Sequence, residues 1–213
     1  GGQMVRTSVA LSALTGTTTR LTRIRENRPT SGLSKQHTTA VEAVATLTGS
    51  TVEGNEIGSS ELIFTPGNEQ VYDLSMDIGT AGSISLVMQA VLLAVRNHRK
   101  RVDLDLVGGT NVMWAPPIDT YQMVLFPFLE RMGVHLGVDI LERGFYPAGG
   151  GHVKAFMEPI GRIKPLVLSN LGEFKGVHGR VFSQHLPEKI ATDMIEACDN
   201  VLSHRYKVDF ETV

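Results

Sequence analysis

The sequence VHLGVDI at residues 134–140 and the sequence HVKAFM at residues 152–157 decide the fold of this chain. Both stretches alternate apolar and polar side chains, which is typical of half-buried β-strands. A helical pattern over 119–132 precedes them and ends at Gly133, and a glycine-rich turn separates them. These residues therefore predict a unit of one helix followed by two paired strands.

The same order of elements occurs earlier in the chain. Residues 33–48 have the apolar spacing of a helix that ends at Gly49, and short strands are predicted near 51–54 and 60–65. The two helix-ending glycines are 133 − 49 = 84 residues apart. A pattern that returns at such a long period indicates a repeated supersecondary unit.

Further helices and strands precede each copy of this unit. The sequence predicts helices over 4–14 and 82–96 and strands over 20–25, 71–78 and 102–107. Together these elements predict tandem β-α-β-α-β-β repeats, the first of which begins in its helix without an opening strand. We therefore expect a chain truncated at its N-terminus, in agreement with the absence of an initiating Met. The alternative is an α+β domain with no internal symmetry.

The pattern changes after residue 160. Residues 165–183 are predicted to be strand material with glycine turns, 186–204 a helix, and 206–213 another strand. A strand, a helix and a strand make only half of an α/β layer, so we expect the C-terminal part to be incomplete. The predicted domains are residues 1–160, with two repeats, and residues 161–213.

Composition excludes several classes of protein. The 213 residues are 42% hydrophobic and 20% charged with a net charge of −2, which is typical of a globular chain and not of a disordered one. Nucleic acid could bind only at a local basic patch. The single cysteine cannot form an internal disulfide, which favours a reducing compartment. The longest apolar run, 86–95, is too short to span a bilayer, so no membrane association is expected.

A basic cluster in residues 20–37 is the first candidate site. It contains one acid, Glu26, and six basic side chains: Arg20, Arg23, Arg25, Arg28, Lys35 and His37. A loop containing arginines and ending in glycine can bind a phosphate through guanidinium and backbone N–H groups. The pattern predicts that Arg23 and Arg25 share one strand face, and Arg6 could converge with Arg25 and Arg28. The alternative is a solvated basic face on an edge strand.

Three other stretches are candidates. Gln89 lies among apolar residues and needs a hydrogen-bond partner, either a ligand or the backbone, if it is buried. The loop 108–119, GGTNVMWAPPID, is suited to packing on a planar ring, or it is a crossover loop with a buried Trp114. The glycines of RGFYPAGGGHV, 143–153, suggest a phosphate loop, but they lie between two predicted strands and lack the GxxxxGK(S/T) pattern, so a turn with close chain packing is favoured. The histidines show no metal-ligand spacing.

Several motifs, taken together and in this order, resemble the RNA 3′-terminal phosphate cyclase family. They are GGQMVRTSVALSALTG, IRENRPTSGLSKQHTTAVEA, EGNEIGSSELIFTPG and GGTNVMWAPPIDTY followed by RGFYPAGGGHV. The resemblance covers residues 1 to about 160 well and 161–213 more weakly. It implies an α/β (α+β) fold of three β-α-β-α-β-β repeats, with a smaller α/β domain inserted before the third. Residues 1–160 would hold two repeats and 161–213 the beginning of the insert.

The resemblance also implies an activity. Cyclases of this family use ATP and a divalent metal such as Mg²⁺. A histidine takes AMP and releases pyrophosphate, AMP passes to the RNA 3′-phosphate, and the 2′-OH closes a 2′,3′-cyclic phosphate with loss of AMP. The implied partners are therefore ATP and RNA with a 3′-phosphate end, in the cytoplasm. The implied phosphate-site residues are Arg6, Arg25, Arg28 and Gln36, and the residues beside the adenylate are Gln89 and Pro116.

The chain departs from the family pattern in two ways. The family glutamate thought to help hold metal precedes the Gly-Gly-Gln motif, and this chain starts after that position. The nucleophilic histidine belongs to the third repeat, so none of the seven histidines stands in its motif, and we expect no adenylation of these residues alone. Two alternative functions are a non-catalytic cyclase-like ribosome-assembly factor that binds RNA, and a transferase of the enolpyruvyl type.

Overall fold

The computed structural model describes residues 1–170 and 172–213, which form two compact units, 1–166 and 167–213. The division thus falls six residues after position 160, where the composition changes. Leu171, part of the stretch 165–183 predicted as strand material, lies outside the described residues.

The first half of unit 1–166 packs two helices with a small antiparallel sheet whose strand order is β1-β3-β2. Its elements are α1 (Gly2–Thr15), β1 (Thr19–Leu21), α2 (Lys35–Thr48), β2 (Thr51–Glu53) and β3 (Leu62–Thr65). Both helices end where the sequence predicts, at Gly16 and Gly49, which have φ values of 68° and 58°. Glycine ends the helices because it adopts this left-handed conformation without a steric penalty from Cβ.

The second half has a four-stranded sheet of order β4-β5-β7-β6, in which β4 and β5 are parallel and the other pairs are antiparallel. Its elements are β4 (Asp73–Asp77), α3 (Ile84–Ala94), β5 (Val102–Gly108), α4 (Ile118–Thr120), α5 (Phe126–Arg131), β6 (Leu136–Glu142) and β7 (Gly151–Met157). A π-helical turn over Tyr121–Leu125 joins α4 to α5. Inward residues alternate strictly along β5, as its sequence predicts.

The two halves repeat one topology. The strand order β1-β3-β2 corresponds to β5-β7-β6, and in each half a helix precedes the first of these strands. The alternative without internal symmetry is therefore wrong, and the predicted α/β fold class is confirmed. Because of this correspondence, the bend after β1, residues 22–34, and the loop after β5, residues 109–117, occupy equivalent positions in the two repeats.

The helices α1, α2 and α3 pack against one another and against the sheets to form the core. Fully buried alanines at Ala10, Ala40 and Ala43 allow the helices to approach closely, while Phe64 and Leu106 cover them from the two sheets. Within residues 1–170 and 172–213, no helix combines the length and apolarity needed to cross a bilayer.

Unit 167–213 is a strand, a helix and a strand, as predicted, although with different bounds. Its elements are β8 (Val177–Val181), α6 (Glu188–Leu202) and β9 (Val208–Thr212), with β8 and β9 parallel. The prediction of strand material over 165–183 is too long, because among the described residues of that stretch only Val177–Val181 pair with another strand.

The predicted strand 20–25 is also too long. Strand β1 ends at Leu21, and Arg23 and Arg25 have left-handed φ values of 53° and 55°. The prediction that Arg23 and Arg25 share one strand face is therefore wrong. The alternating sequence is misleading here because only Leu21 and Ile24 lie against apolar neighbours, and the chain turns between them.

Candidate functional site

The bend after β1 is held in place by its own backbone and by the turn at 56–60. The N–H of Gly32 donates to the carbonyl of Ile24 at 2.9 Å, and the Arg25 guanidinium donates to the carbonyl of Gly32 at 2.8 Å. The N–H groups of Leu33 and Gly58 bond across to the carbonyls of Ser59 and Leu33 at 3.0 and 2.7 Å. These bonds fix a loop whose sequence alone would suggest a mobile surface turn.

The bend forms the wall of an open pocket of about 400 Å³. Its lining residues are Gly1, Thr22, Arg23, Arg25, Glu26, Asn27 and Arg28. Three guanidinium groups face one carboxylate there, so the pocket carries a positive charge. Guanidinium groups are the side chains best shaped to bind phosphate oxygens in pairs, so the pocket is suited to an anion with several oxygens.

Arg6 lies beneath the surface, with only 5% of its area exposed. Its Nε donates to Oε1 of Gln89 at 3.4 Å, and its Nη2 donates to Oε1 of Gln3 at 3.0 Å. Burial lowers the pKa of Arg6, while the nearby Tyr121 opposes that shift. A guanidinium nevertheless stays protonated in proteins, so Arg6 contributes a fixed, partly desolvated positive charge.

His37 connects Arg6 with the bend. The side chain is 8% exposed. Burial is the main cause that lowers the pKa of its imidazole to about 4, and the charges of Arg25 and Arg6 add to the shift. The backbone N–H of Ser34 donates to Nδ1 of His37 at 3.1 Å, so Nδ1 is an acceptor and the proton of the neutral ring is on Nε2. The Nε2 atom is directed at Gly2, where any Cβ would collide with the imidazole ring. The neutral His37 therefore packs against the start of α1 and lies within the electrostatic influence of both arginines.

Gln36 and Pro116 are joined by a chain of hydrogen bonds at the start of α3. Oε1 of Gln36 accepts from the backbone N–H of Ser83 at 3.1 Å, and the Ser83 hydroxyl lies 2.7 Å from that of Ser85. The Ser85 hydroxyl donates to the carbonyl of Pro116 at 2.6 Å, and the Tyr121 hydroxyl donates to the carbonyl of Ser85 at 2.7 Å. This chain fixes the position of the 109–117 loop relative to α2.

Each of the six residues expected at the site has a defined place. Arg25 and Arg28 share the pocket, Arg6 bonds to Gln89, and Gln36 and Pro116 belong to the chain at the start of α3. The side chain of Gln89 is exposed at the surface of its helix. The condition under which it would need a hydrogen-bond partner, burial among apolar residues, is therefore not met. The structure brings these residues to adjoining elements, and their roles remain predictions.

Several residues of this arrangement were not singled out from the sequence. Hydrogen bonds to expected residues come from Gln3, Ser83 and Ser85, and Tyr121 in turn bonds to Ser85. The one available signal was spacing, because Ser85 precedes Gln89 by four residues and therefore lies on the same helix face.

The glycines of 143–153 pack closely against neighbouring chain segments. A Cβ at Gly149 would lie 2.6 Å from the carbonyl oxygen of Thr80, and one at Gly144 would meet the backbone of Gly108 and Gly151. This agrees with the interpretation of a turn between closely packed chains. In contrast, the alternative of a buried tryptophan is wrong, because the side chain of Trp114 is 93% exposed.

No three His, Cys, Asp or Glu side chains converge among residues 1–170 and 172–213. Mg²⁺ is usually held by one or two carboxylates together with substrate phosphates and water, so Mg²⁺ stays a prediction for this chain.

Known proteins resemble the whole chain. The family model for RNA 3′-terminal phosphate cyclase matches residues 1–206. The RNA 3′-terminal phosphate cyclase of Methanopyrus kandleri is 42% identical over 216 residues, covering 100% of this chain and 61% of that protein. The RNA 3′-terminal phosphate cyclase of Caldivirga maquilingensis is 45% identical over 205 residues, covering 95% of this chain and 58% of that protein. The chain thus spans about three fifths of the length of these curated relatives.

Among solved structures, an EPSP synthase from Acinetobacter baumannii matches with 12% identity and a TM-score of 0.31. The match covers 73% of this chain and 46% of the synthase chain. A likeness this distant supports no conclusion about fold or chemistry.

Proposed function

This chain belongs to the RNA 3′-terminal phosphate cyclase family, and on that premise we propose that it is part of an ATP-dependent enzyme that closes an RNA 3′-phosphate into a 2′,3′-cyclic phosphate. The observation that carries the proposal is the pocket lined by Arg25 and Arg28, with Arg6 and the neutral His37 behind it. A terminal phosphate has two negative charges and three acceptor oxygens, which is what several guanidinium groups can bind.

The roles of the residues follow from their positions. Arg28 is exposed at the pocket and would bind the terminal phosphate first, whereas Arg25 is fixed by Gly32 and would orient it. Gln89 would hold Arg6 in place through its carbonyl oxygen. Pro116, held by Ser85, would lie beside the adenine of ATP. Such preorganised charges stabilise the pentacoordinate phosphorus of the transition state because they need no rearrangement during the reaction.

The first experiment measures binding of an RNA oligonucleotide with a 3′-phosphate or a 3′-OH by fluorescence anisotropy. We expect Arg28→Ala to weaken binding of the 3′-phosphate RNA about 10- to 100-fold, because a charge-assisted hydrogen bond contributes about 1.5–3 kcal/mol. Arg20→Ala is the matched control, since Arg20 is exposed and pairs with Glu61 at 3.0 Å. Equal binding of both RNAs, or equal effects of the two substitutions, would contradict the phosphate assignment.

We also propose that residues 1–213 do not become adenylated on their own. In the family the nucleophilic histidine belongs to a third repeat, and His37 cannot replace it. Its Nδ1 lone pair accepts from Ser34, and its Nε2 carries the ring proton, so the neutral imidazole has no lone pair available for attack. Incubation with ATP labelled in the α-phosphate tests this, and a stable covalent label on the chain would show that it is wrong.

The non-catalytic alternative gives a different result with the complete protein. An RNA-binding assembly factor would bind 3′-phosphate RNA without ATP and leave its end unchanged, whereas a cyclase makes the end resistant to phosphatase only when ATP is present. A transferase of the enolpyruvyl type would not distinguish the two RNA ends in the binding assay.

A further inference from the structure

The most unusual exposed residue in the molecule is Trp114, the single tryptophan of the chain. Its side chain is 93% exposed, and its backbone has a left-handed φ of 67°. A bulky residue rarely adopts a positive φ, and a large aromatic ring usually buries most of its area. A conformation that is unfavourable and that also presents an apolar ring to solvent calls for a function.

The loop that carries Trp114 is fixed at its base. The N–H of Ile118 donates to the carbonyl of Thr110 at 2.9 Å and so closes the loop. Asp119 accepts from both terminal nitrogens of Arg143 at 2.8 and 2.9 Å and from the Asn111 side chain at 3.3 Å. The exposed ring is therefore presented by a well-anchored loop, and its exposure does not come from fraying.

The same loop leads directly to the proposed site. Pro116, two residues after Trp114, is held by Ser85, and Ser85 is one helical turn before Gln89, the partner of Arg6. Trp114 thus belongs to a loop that is hydrogen-bonded to the helix that carries Gln89.

Two further exposed apolar side chains lie on this loop and on the adjoining one. Met113 is 77% exposed and Tyr146 is 80% exposed. The two loops are joined by backbone contacts of Asn111 with Phe145 and of Thr110 with Gly144. Exposed aromatic side chains are what proteins use as stacking platforms for the bases of single-stranded nucleic acid.

We infer that Trp114 is a stacking platform for a nucleobase, supplied either by the RNA strand or by ATP. The inference rests on the proposed function for the nature of the ligand. The flat faces of the indole are open to solvent, and any base can stack on them because every base has a π-face. The arginine pocket formed by the bend after β1 would bind the phosphate that the same ligand carries.

The sole tryptophan makes the test direct, because its intrinsic fluorescence reports on Trp114 alone. The chain is titrated separately with 3′-phosphate RNA and with ATP, and anisotropy of labelled ligands gives the affinities independently. We expect stacking to quench the emission with one of these ligands, which also identifies the source of the base. Trp114→Ala should weaken binding of that ligand about 5- to 100-fold, and Trp114→Phe should restore most of it. Met123→Ala, which removes an exposed apolar side chain outside the two loops, is the matched control.

The inference is overturned if both ligands bind with no change in emission, or if Trp114→Ala leaves both affinities unaltered. Circular dichroism of Trp114→Ala must match the parent, and Trp114→Phe provides the folded comparison if it does not. If Arg28→Ala has no effect but Trp114→Ala weakens binding, stacking stands and the terminal-phosphate assignment fails. The reverse result overturns stacking alone, and a chain that binds neither RNA nor ATP overturns both proposals.

Discussion

Acidification between pH 6.5 and pH 4 should destabilise this protein through His37. In the folded chain burial and the charges of Arg25 and Arg6 lower the pKa of His37 to about 4, whereas an unfolded histidine titrates near pH 6.5. Below pH 6.5 the unfolded chain therefore binds a proton that the folded chain does not. The free energy of unfolding falls as pH falls through this window and levels off below pH 4.

The difference between the pKa values of His37 in the unfolded and the folded chain sets an upper limit on the loss of stability. A pKa difference of about 2.5 multiplied by 1.36 kcal/mol gives about 3 kcal/mol. Solvent and salt screen the arginine charges, so about half of that limit is the more realistic expectation. Carboxylates titrate over the same range, so the contribution of His37 has to be measured as a difference between two chains.

The sequence offers a matched variant, His37→Gln. Ser34 and His37 form a capping box at the start of α2, and glutamine is a natural residue at the second position of that motif. The variant therefore keeps the cap and removes the titrating group. Urea unfolding at pH 7.5 and pH 4.5 should show a smaller loss of stability for His37→Gln, by about 1–3 kcal/mol. Equal losses in the two chains, or an imidazole that titrates near pH 6.5 by NMR, would refute the reasoning.

Two further predictions concern the loops around the site. Gly149→Ala should destabilise the fold by at least about 2 kcal/mol more than Gly150→Ala, measured as urea unfolding free energies. Both positions have a positive φ, but only at Gly149 would the new Cβ collide, 2.6 Å from the carbonyl oxygen of Thr80, so equal losses would contradict the close packing. Asp119→Asn should cost about 1–3 kcal/mol, because the carboxylate forms a half-buried ion pair with Arg143 whose hydrogen bonds outweigh burial and lower the pKa of Asp119. A thermal midpoint within 1 °C of the parent would show that this pair does not anchor the loop.

The helices, strands and repeat could be predicted because their signals are local. Gly16 and Gly49 end helices through the conformational freedom of a single residue, and alternation along 102–107 follows from the two faces of a strand. The basic bend was also recognisable, since four arginines occur within nine residues, 20–28.

The prediction of β1 failed where the local signal was ambiguous. The stretch 20–25 alternates like a strand, yet Arg23 and Arg25 take left-handed conformations because the bend is held by bonds to the turn at 56–60. Those bonds join segments about thirty residues apart, and no pattern within the stretch encodes them.

The sequence by itself determined which residues are able to bind a phosphate, and the tertiary structure decided which of them meet. Arg6 and Gln89 are 83 residues apart in the chain and share a hydrogen bond, and Trp114 is exposed although the sequence favoured a buried ring. Secondary structure follows from periods of two to four residues. The surroundings of a side chain depend on which distant segments pack beside it, and that is set by the packing of the whole core.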